Sequence, residues 1–338
     1  MNAFVDRMRR LTNDAAHYAD IMLVSGEDGP ARGARFLIGR TASGLHFRIA
    51  VDRGLDITDL DYRGQPLGWH SPAGLVAPSL HAPDGEGGLG FLRGFSGFLV
   101  TCGWDHYGPA RSGPADHHRY ALRDRQDYPL HGRANVVPAR LMRYGVEADA
   151  DGNPVIRIVG LLRQFSLFAE GYDVERTITI HVAEPKVELA DRVTNIGRNR
   201  SPHRVLYHIN LAYPLVDDGT TVEGVPDDPQ MPSPMPPLDD AEVERFKCIP
   251  RSEWADTITV RQAQEKGGMA LAITMASPRF THLVQWWNRF PGANMIGIEP
   301  ASAAMPGLAA DGDWHPDAWM EPGEVRDYQL VFSLSGRE

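Results

Sequence analysis

Runs of alternating apolar and polar residues recur along the chain and constrain its fold more than any other feature. Leu45, Phe47, Ile49 and Val51 alternate with polar or small residues, and Val174, Arg176, Ile178, Ile180 and Val182 form a second such row. A period of two places these side chains on one face of an extended strand. Further strands are predicted over residues 155–162, 187–195, 203–211, 256–260, 269–275, 281–287, 294–298 and 324–334. Each run is short, rich in β-branched or aromatic residues, and bounded by Gly, Pro, Asn or Asp, the pattern of strands closed by turns. Turn sequences such as Asp151-Gly152-Asn153 predict antiparallel hairpins. The 34 glycines and 26 prolines among 338 residues exceed the usual combined share of about 12%, which suits many short elements joined by turns.

One helix is predicted, over residues 3–20, where Phe4, Met8, Leu11, Ala15 and Tyr18 fall at roughly helical spacing. Strands do not alternate with long helices, so a parallel α/β sheet is not expected. The expected class is all-β, mainly antiparallel, packed as a large sandwich or barrel. A helical extension over residues 1–30 is expected to precede a single domain over 31–338. Residues 63–90, and residues 224–240 with their six prolines, read as irregular loops that frame a binding cleft.

The 34 basic and 44 acidic side chains give a net charge of −10, which argues against nucleic acid as a partner, since phosphate contacts need clustered Lys and Arg. No apolar run is long enough to span a membrane, and the N-terminal twenty residues carry charges where a signal peptide needs an apolar stretch. Cys102 and Cys248 make neither a disulfide framework nor a zinc site. A cytoplasmic location with reduced thiols is the expectation. No G-x-G-x-x-G follows a strand, and there is no G-x-x-x-x-G-K-[ST], H-E-x-x-H, C-x-x-C or G-x-S-x-G. Nucleotide-dependent enzymes, zinc proteases and α/β-hydrolases are therefore disfavoured.

What remains are imidazoles and carboxylates at strand ends. His131 is followed by Gly132, which allows a sharp turn or close approach of backbone to a ligand; a plain turn histidine is the alternative. His208 lies inside an apolar run and reads equally as a core histidine. His106, His117 and His118 read as solvated loop residues, the adjacent pair pointing to opposite faces if on a strand. Glu299 closes the apolar strand 294–298, where a carboxylate is costly unless paired or used. Gln285, Trp286, Trp287 and Asn288 set aromatic surface beside amides, a combination that suits a sugar ring, with at least one tryptophan in the core. Arg53 and Arg93 each precede a glycine and can fork onto a hydroxyl or carboxylate ligand, or pair with an aspartate.

The ordered segments HGRAN around His131, VTNIGRNRSPHRVLYHINLAYPL around His208, NMIGIEP around Glu299 and EPGEVRDYQLVFSL near the end resemble those of aldose 1-epimerases, the galactose mutarotases. The segments RGLD at residues 53–56, RGFSG at 93–97 and LHGR at 130–133 resemble the DUF4432-type branch of that superfamily. The resemblance spans roughly residues 35–338. It implies a galactose-mutarotase-like β-supersandwich, with a short N-terminal helix here, and a sugar site on one sheet face. It further implies Glu299 as general base at the anomeric hydroxyl and His208 as general acid at the ring oxygen. His131 and Arg93 would bind the sugar, with Asn210, Gln285 and Trp286 as further contacts. The second histidine stands in Tyr207-His208-Ile209-Asn210, where the family commonly has Asn-His-Ser/Thr. Asp217 and Asp218 are the near candidates for an aspartate the family uses to grip hydroxyls.

Ring opening of a hemiacetal needs one group to take the anomeric proton and another to protonate the ring oxygen, work suited to a carboxylate and an imidazole near neutral pH. It calls for no metal or cofactor. The expected activity is that of an aldose 1-epimerase-like isomerase on a small, unphosphorylated sugar, with no nucleic-acid or membrane partner and a homodimer compatible with the chain. Two alternatives remain open at this point: enolisation of a keto- or uronic sugar by an epimerase, isomerase or lyase, and carbohydrate binding without catalysis.

Overall fold

The computed structural model describes residues 3–119, 124–238, 240–241, 243–306 and 318–336. Helix α1 (Ala3–Leu11) opens the chain. It stops well before residue 20, because the Asp14 carboxylate accepts a hydrogen bond from the Ala16 amide at 2.9 Å and caps a separate 3-10 turn over Ala15–His17. Strand β1 (Ala19–Ser25) follows at once and pairs with β2 (Arg35–Thr41). Residues 19–25 therefore belong to a sheet, not to a helical extension reaching residue 30. With β3 (Leu45–Ala50), β4 (Asp56–Tyr62) and β5 (Gln65–Pro66) they form a five-stranded sheet in chain order.

Two further sheets pack beside it, with strands numbered along the chain. A second five-stranded sheet contains β6 (Leu99–Trp104), β14 (Arg204–Ala212), β16 (Val243–Pro250), β19 (His282–Arg289) and β20 (Met295–Ala301), in the order β16-β19-β20-β14-β6. An eight-stranded sheet contains β9 (Arg140–Ala148), β10 (Pro154–Phe165), β11 (Gly171–His181), β12 (Lys186–Asn195), β15 (Thr221–Glu223), β17 (Thr257–Arg261), β18 (Ala270–Met275) and β22 (Val325–Ser335). Its order is β15-β17-β18-β22-β12-β11-β10-β9. Small ribbons pair β7 (Arg111–Pro114) with β8 (Arg125–Tyr128) and β13 (Ser201–Pro202) with β21 (Trp319–Met320). All these ladders are antiparallel, and the turn at Asp151-Gly152-Asn153 joins β9 to β10 as a hairpin. Among the described residues no helix is long and apolar enough to cross a membrane.

One core is shared by all three sheets. It takes Leu37, Phe47 and Leu60 from the first, Tyr207, Ile209, Leu211 and Ile298 from the second, and Ile178, Leu189 and Phe332 from the third. Period-two alternation then sends Leu206, His208 and Asn210 of β14 to the opposite face of the second sheet, over a separate cluster of Val100, Cys102, Val284, Trp286 and Met295. The 224–240 loop sinks Met231 and Met235 into the main core and lies against Trp287 and Arg289. It is thus part of the packed body on the Trp287 side; residue 239 lies outside the described residues.

Arg176 faces this core as the row of Val174, Ile178 and Ile180 requires, and it is fully buried. Its guanidinium donates to Asp191 Oδ1 and Oδ2 at 2.7 and 2.6 Å, to Asp56 Oδ1 at 2.7 Å, to the Gly54 carbonyl at 2.7 Å and to Thr101 Oγ1 at 2.9 Å. Tyr207 donates its hydroxyl to Asp191 Oδ2 at 2.6 Å, and Asp56 accepts from the Thr101 amide at 2.8 Å. One cation thereby joins β4, β6, β11, β12 and β14, strands from all three sheets. Burial pushes the Asp56 carboxyl up, opposed by Arg176 and Thr101. Removing one partner of such a group leaves a buried charge without compensation. Arg176→Met is expected to lower unfolding free energy by about 3–5 kcal/mol in urea titrations; a loss under about 1 kcal/mol would show that the network is dispensable.

Candidate active site

The outer face of the second sheet brings His131, His208 and Glu299 together. His208 on β14 and Glu299 on β20 sit across adjacent strands, with His208 Nε2 3.3 Å from Glu299 Oε1. Both are buried, at 4% and 1% exposure. Gly297, two residues before Glu299, makes room for it: a Cβ there would overlap Glu299 Oε1 and crowd Trp286. The His131 ring lies 5.6 Å from that of His208. His131 sits at φ 59°, and a Cβ on Gly132 would overlap the His106 carbonyl oxygen. The His-Gly pair is thus a sharp turn. The approach is to protein backbone, and it turns the imidazole toward His208.

Aromatic rings cover the pair. Phe91 lies 4.9 Å from His131, Phe95 4.9 Å from His208, and Trp286 5.3 Å from His208 in a T-shaped contact. Phe246 stacks parallel on Trp286 at 5.9 Å and is 49% exposed, so an aromatic stair leads from solvent to the imidazole. Trp286 Nε1 donates to Glu244 at 3.2 Å. The cover belongs to residues 90–95, which continue the irregular 63–90 stretch. Arg53 lies beneath it: its guanidinium packs under Gly94 and donates to the Val76 carbonyl at 3.3 Å.

The other residues expected at a sugar site divide. Asn210 lies on the His208 face, where its Nδ2 donates to the Gly97 carbonyl at 2.9 Å. Gln285 does not join it. It alternates with Trp286 and so points with Leu283 and Trp287 toward the main core, buried to 2% exposure. Arg93 is also elsewhere: it is exposed and donates to Glu86 at 2.6 Å, because the 3-10 turn over Gly90–Arg93 turns Phe91 inward and Arg93 outward. Asp217 pairs with Lys266 at 2.9 Å, and Asp218 lies 3.7 Å from Arg289, so neither reaches the pair. His106 and His117 are buried at 0% and 3% exposure, contrary to their reading as solvated loop residues. A cleft of about 860 Å³ is lined in part by Asp84, Arg111, His118, Arg133 and Glu170 and by neither His208 nor Glu299. Neither loop histidine nor this cleft was visible as a unit in the sequence, since their parts come from four separate segments.

Burial sets the protonation of the pair. It pushes the Glu299 carboxyl well above its ordinary value and, with the neighbouring His131, pushes His208 well below its own. Burial likewise lowers His131 to about 4. Both shifts favour the uncharged forms, a protonated carboxyl beside a neutral imidazole.

With its three antiparallel sheets, shared core and polar cluster on one sheet face, this is a galactose-mutarotase-like β-supersandwich. The family model described as Domain of unknown function (DUF4432) matches residues 31–334, and the chain belongs to that family. A provisionally named aldose 1-epimerase from Klebsiella pneumoniae is 22% identical with a TM-score of 0.79, over 97% of this chain and 85% of that one. A galactose mutarotase-like protein from Clostridium acetobutylicum is 13% identical with a TM-score of 0.60, over 94% of this chain and 99% of that one. A galactose mutarotase-like protein from Lactobacillus casei is 15% identical with a TM-score of 0.52, over 94% of this chain and 100% of that one. At these identities the likeness is one of fold. No curated protein matches the chain by sequence.

Two outcomes follow from the packing and the protonation. Gly297→Ala should push the Glu299 carboxylate off His208, visible as a displaced side chain in a crystal structure, at a cost of about 1–3 kcal/mol for overpacking. The pH dependence of stability has a definite sign. Glu299 is raised above its usual 4.5, so its favourable contribution is complete below that pH and is lost as pH rises. His208 is lowered from 6.5, so its contribution is complete above that pH and is lost as pH falls. Glu299→Gln should therefore gain stability over the parent as pH rises from 5 to 8, by up to about 1.4 kcal/mol per pH unit, read from urea unfolding at each pH.

Proposed function

We propose that the protein interconverts the anomers of a small, unphosphorylated sugar by acid–base ring opening at His208 and Glu299. The observation that carries this reading is the buried pair itself, at 3.3 Å with pKa values displaced in opposite directions. Mutarotation removes one proton from the anomeric hydroxyl and delivers one to the ring oxygen, so a pair that shares a single proton is matched to it. Transfer of that proton from Glu299 to His208 yields a carboxylate and an imidazolium. Sugar hydroxyls, replacing the hydrocarbon cover of Phe95, favour this ionic form by solvating it. Glu299 then takes the anomeric proton as His208 protonates the ring oxygen. The exocyclic carbonyl carbon rotates, and the steps run in reverse to close the other anomer. His131 flanks the reacting centre and Asn210 lies beside His208 on the same face. Trp286 and Phe246 offer aromatic surface for the C–H face of a sugar. The likeness to mutarotase-like proteins supports the same reading.

The test is exchange spectroscopy by NMR on a panel of aldoses with micromolar protein. Anomer interconversion should accelerate for at least one sugar, and His208→Ala and Glu299→Gln should each lower the rate by about 10²–10⁴-fold. No acceleration for any sugar would refute the reading. Incorporation of solvent deuterium at a ring carbon without anomer exchange would point instead to enolisation, and sugar affinity unchanged in both variants with no chemistry would point to a binding protein.

A further inference from the structure

We propose that His117, His118 and Glu170 bind one divalent transition-metal ion of the zinc type, at the end of the eight-stranded sheet and independently of the His208–Glu299 pair. The two histidines lie in the turn that follows β7, and Glu170 directly precedes β11. A strand would send adjacent histidines to opposite faces. The turn instead brings their rings together, with centroids 4.9 Å apart.

One ligand atom from each of the three residues lies within 4.8 Å of the others. His117 Nε2 is 3.6 Å from Glu170 Oε2, beyond hydrogen-bond range. An ion about 2.1 Å from each donor in a tetrahedral shell holds its ligands about 3.4 Å apart, so the His117–Glu170 pair is already close and the widest pair draws in by up to about 1.4 Å. The second observation is independent of that spacing. The His117 side chain is fully enclosed, its ring nitrogens make no hydrogen bond, and its Nε2 meets Glu170 Oε2 only as an ion pair at 3.6 Å. Buried polar atoms in folded proteins are almost always satisfied. His117 Nε2 and Glu170 Oε2, enclosed and facing each other without a hydrogen bond, are atoms that a cation between them satisfies.

The surroundings hold these groups as supporting residues hold metal ligands. Gln126 Oε1 lies 2.5 Å from His118 Nε2, and Asn199 donates to the His117 carbonyl at 2.9 Å. The Arg119 amide donates to the Phe168 carbonyl at 2.8 Å, which ties the histidine turn to the turn carrying Glu170. Two imidazoles and one carboxylate suit zinc, iron or cobalt better than calcium or magnesium, which prefer oxygen. His118 and Glu170 also line the cleft of about 860 Å³. The ion's remaining coordination position would face that cleft, the arrangement of a site that holds water or a small ligand, not of a closed structural site.

The test starts from full-length protein stripped with a chelator. Titration with Co²⁺ should give visible ligand-field absorption saturating at one ion per chain, and Zn²⁺ should displace it. His117→Ala and Glu170→Gln should each weaken Co²⁺ binding by at least about tenfold, while the exposed His46→Ala should leave it unchanged. X-ray absorption on the Zn²⁺-loaded parent should show two imidazoles in the shell, a readout that stands even where a variant fails to fold. Absence of the absorption band, a zinc shell without imidazole, or binding equal in all three variants would overturn the proposal. Anomer exchange by NMR is measured separately, so the two readings fail independently.

Discussion

The buried guanidinium of Arg176 is the interaction on which the rest of the arrangement depends. It lies between Asp191 and Asp56 and bonds both, together with Thr101 and a backbone carbonyl. Desolvating a cation costs several kcal/mol, and only dense hydrogen bonding recovers it. Here all three sheets supply acceptors. Tyr207 enters the same network through Asp191, which fixes the face that β14 presents to the core. Once Tyr207 points inward, alternation leaves His208 no choice but the opposite face.

That opposite face carries the proposed site, and its character follows from the cover placed over it. A carboxylate and an imidazole in open water would titrate at ordinary values and carry opposite charges at neutral pH. Beneath Phe91, Phe95 and Trp286 desolvation dominates instead, and both groups move toward their neutral forms. Gly297 contributes by having no side chain, since any Cβ would occupy the space of the carboxylate. Burying such a pair without a hydrogen bond between its members costs stability.

The strands were legible because a half-buried strand writes its own period and its turns are marked by Gly, Pro, Asn and Asp. The row of Val174, Arg176, Ile178 and Ile180 even placed Arg176 on the inward face. Its partners were not legible, because Asp56 lies 120 residues away in sequence and pairing at that range is set by tertiary packing. His131, His208 and Glu299 could be read as an ordered series, two on strands that the fold makes neighbours and His131 in a turn beside them. Gln285 was misplaced although the period of two separates it from Trp286. Arg93 was misplaced because a 3-10 turn carries no periodic signal. His117 looked solvated because its burial comes from Trp319 and Asn199, both from remote segments.

Burial drives Glu299 toward the neutral acid and His208 toward the neutral base. The most direct measurement is NMR of the protein with ¹³C-labelled glutamate and ¹⁵N-labelled histidine, assigned by Glu299→Gln and His208→Ala. At neutral pH the account expects the Glu299 carboxyl carbon at the shift of a protonated acid and the His208 nitrogens at those of a neutral imidazole. A Glu299 carboxylate that titrates near 4.5, beside a His208 that titrates near 6.5, would contradict it.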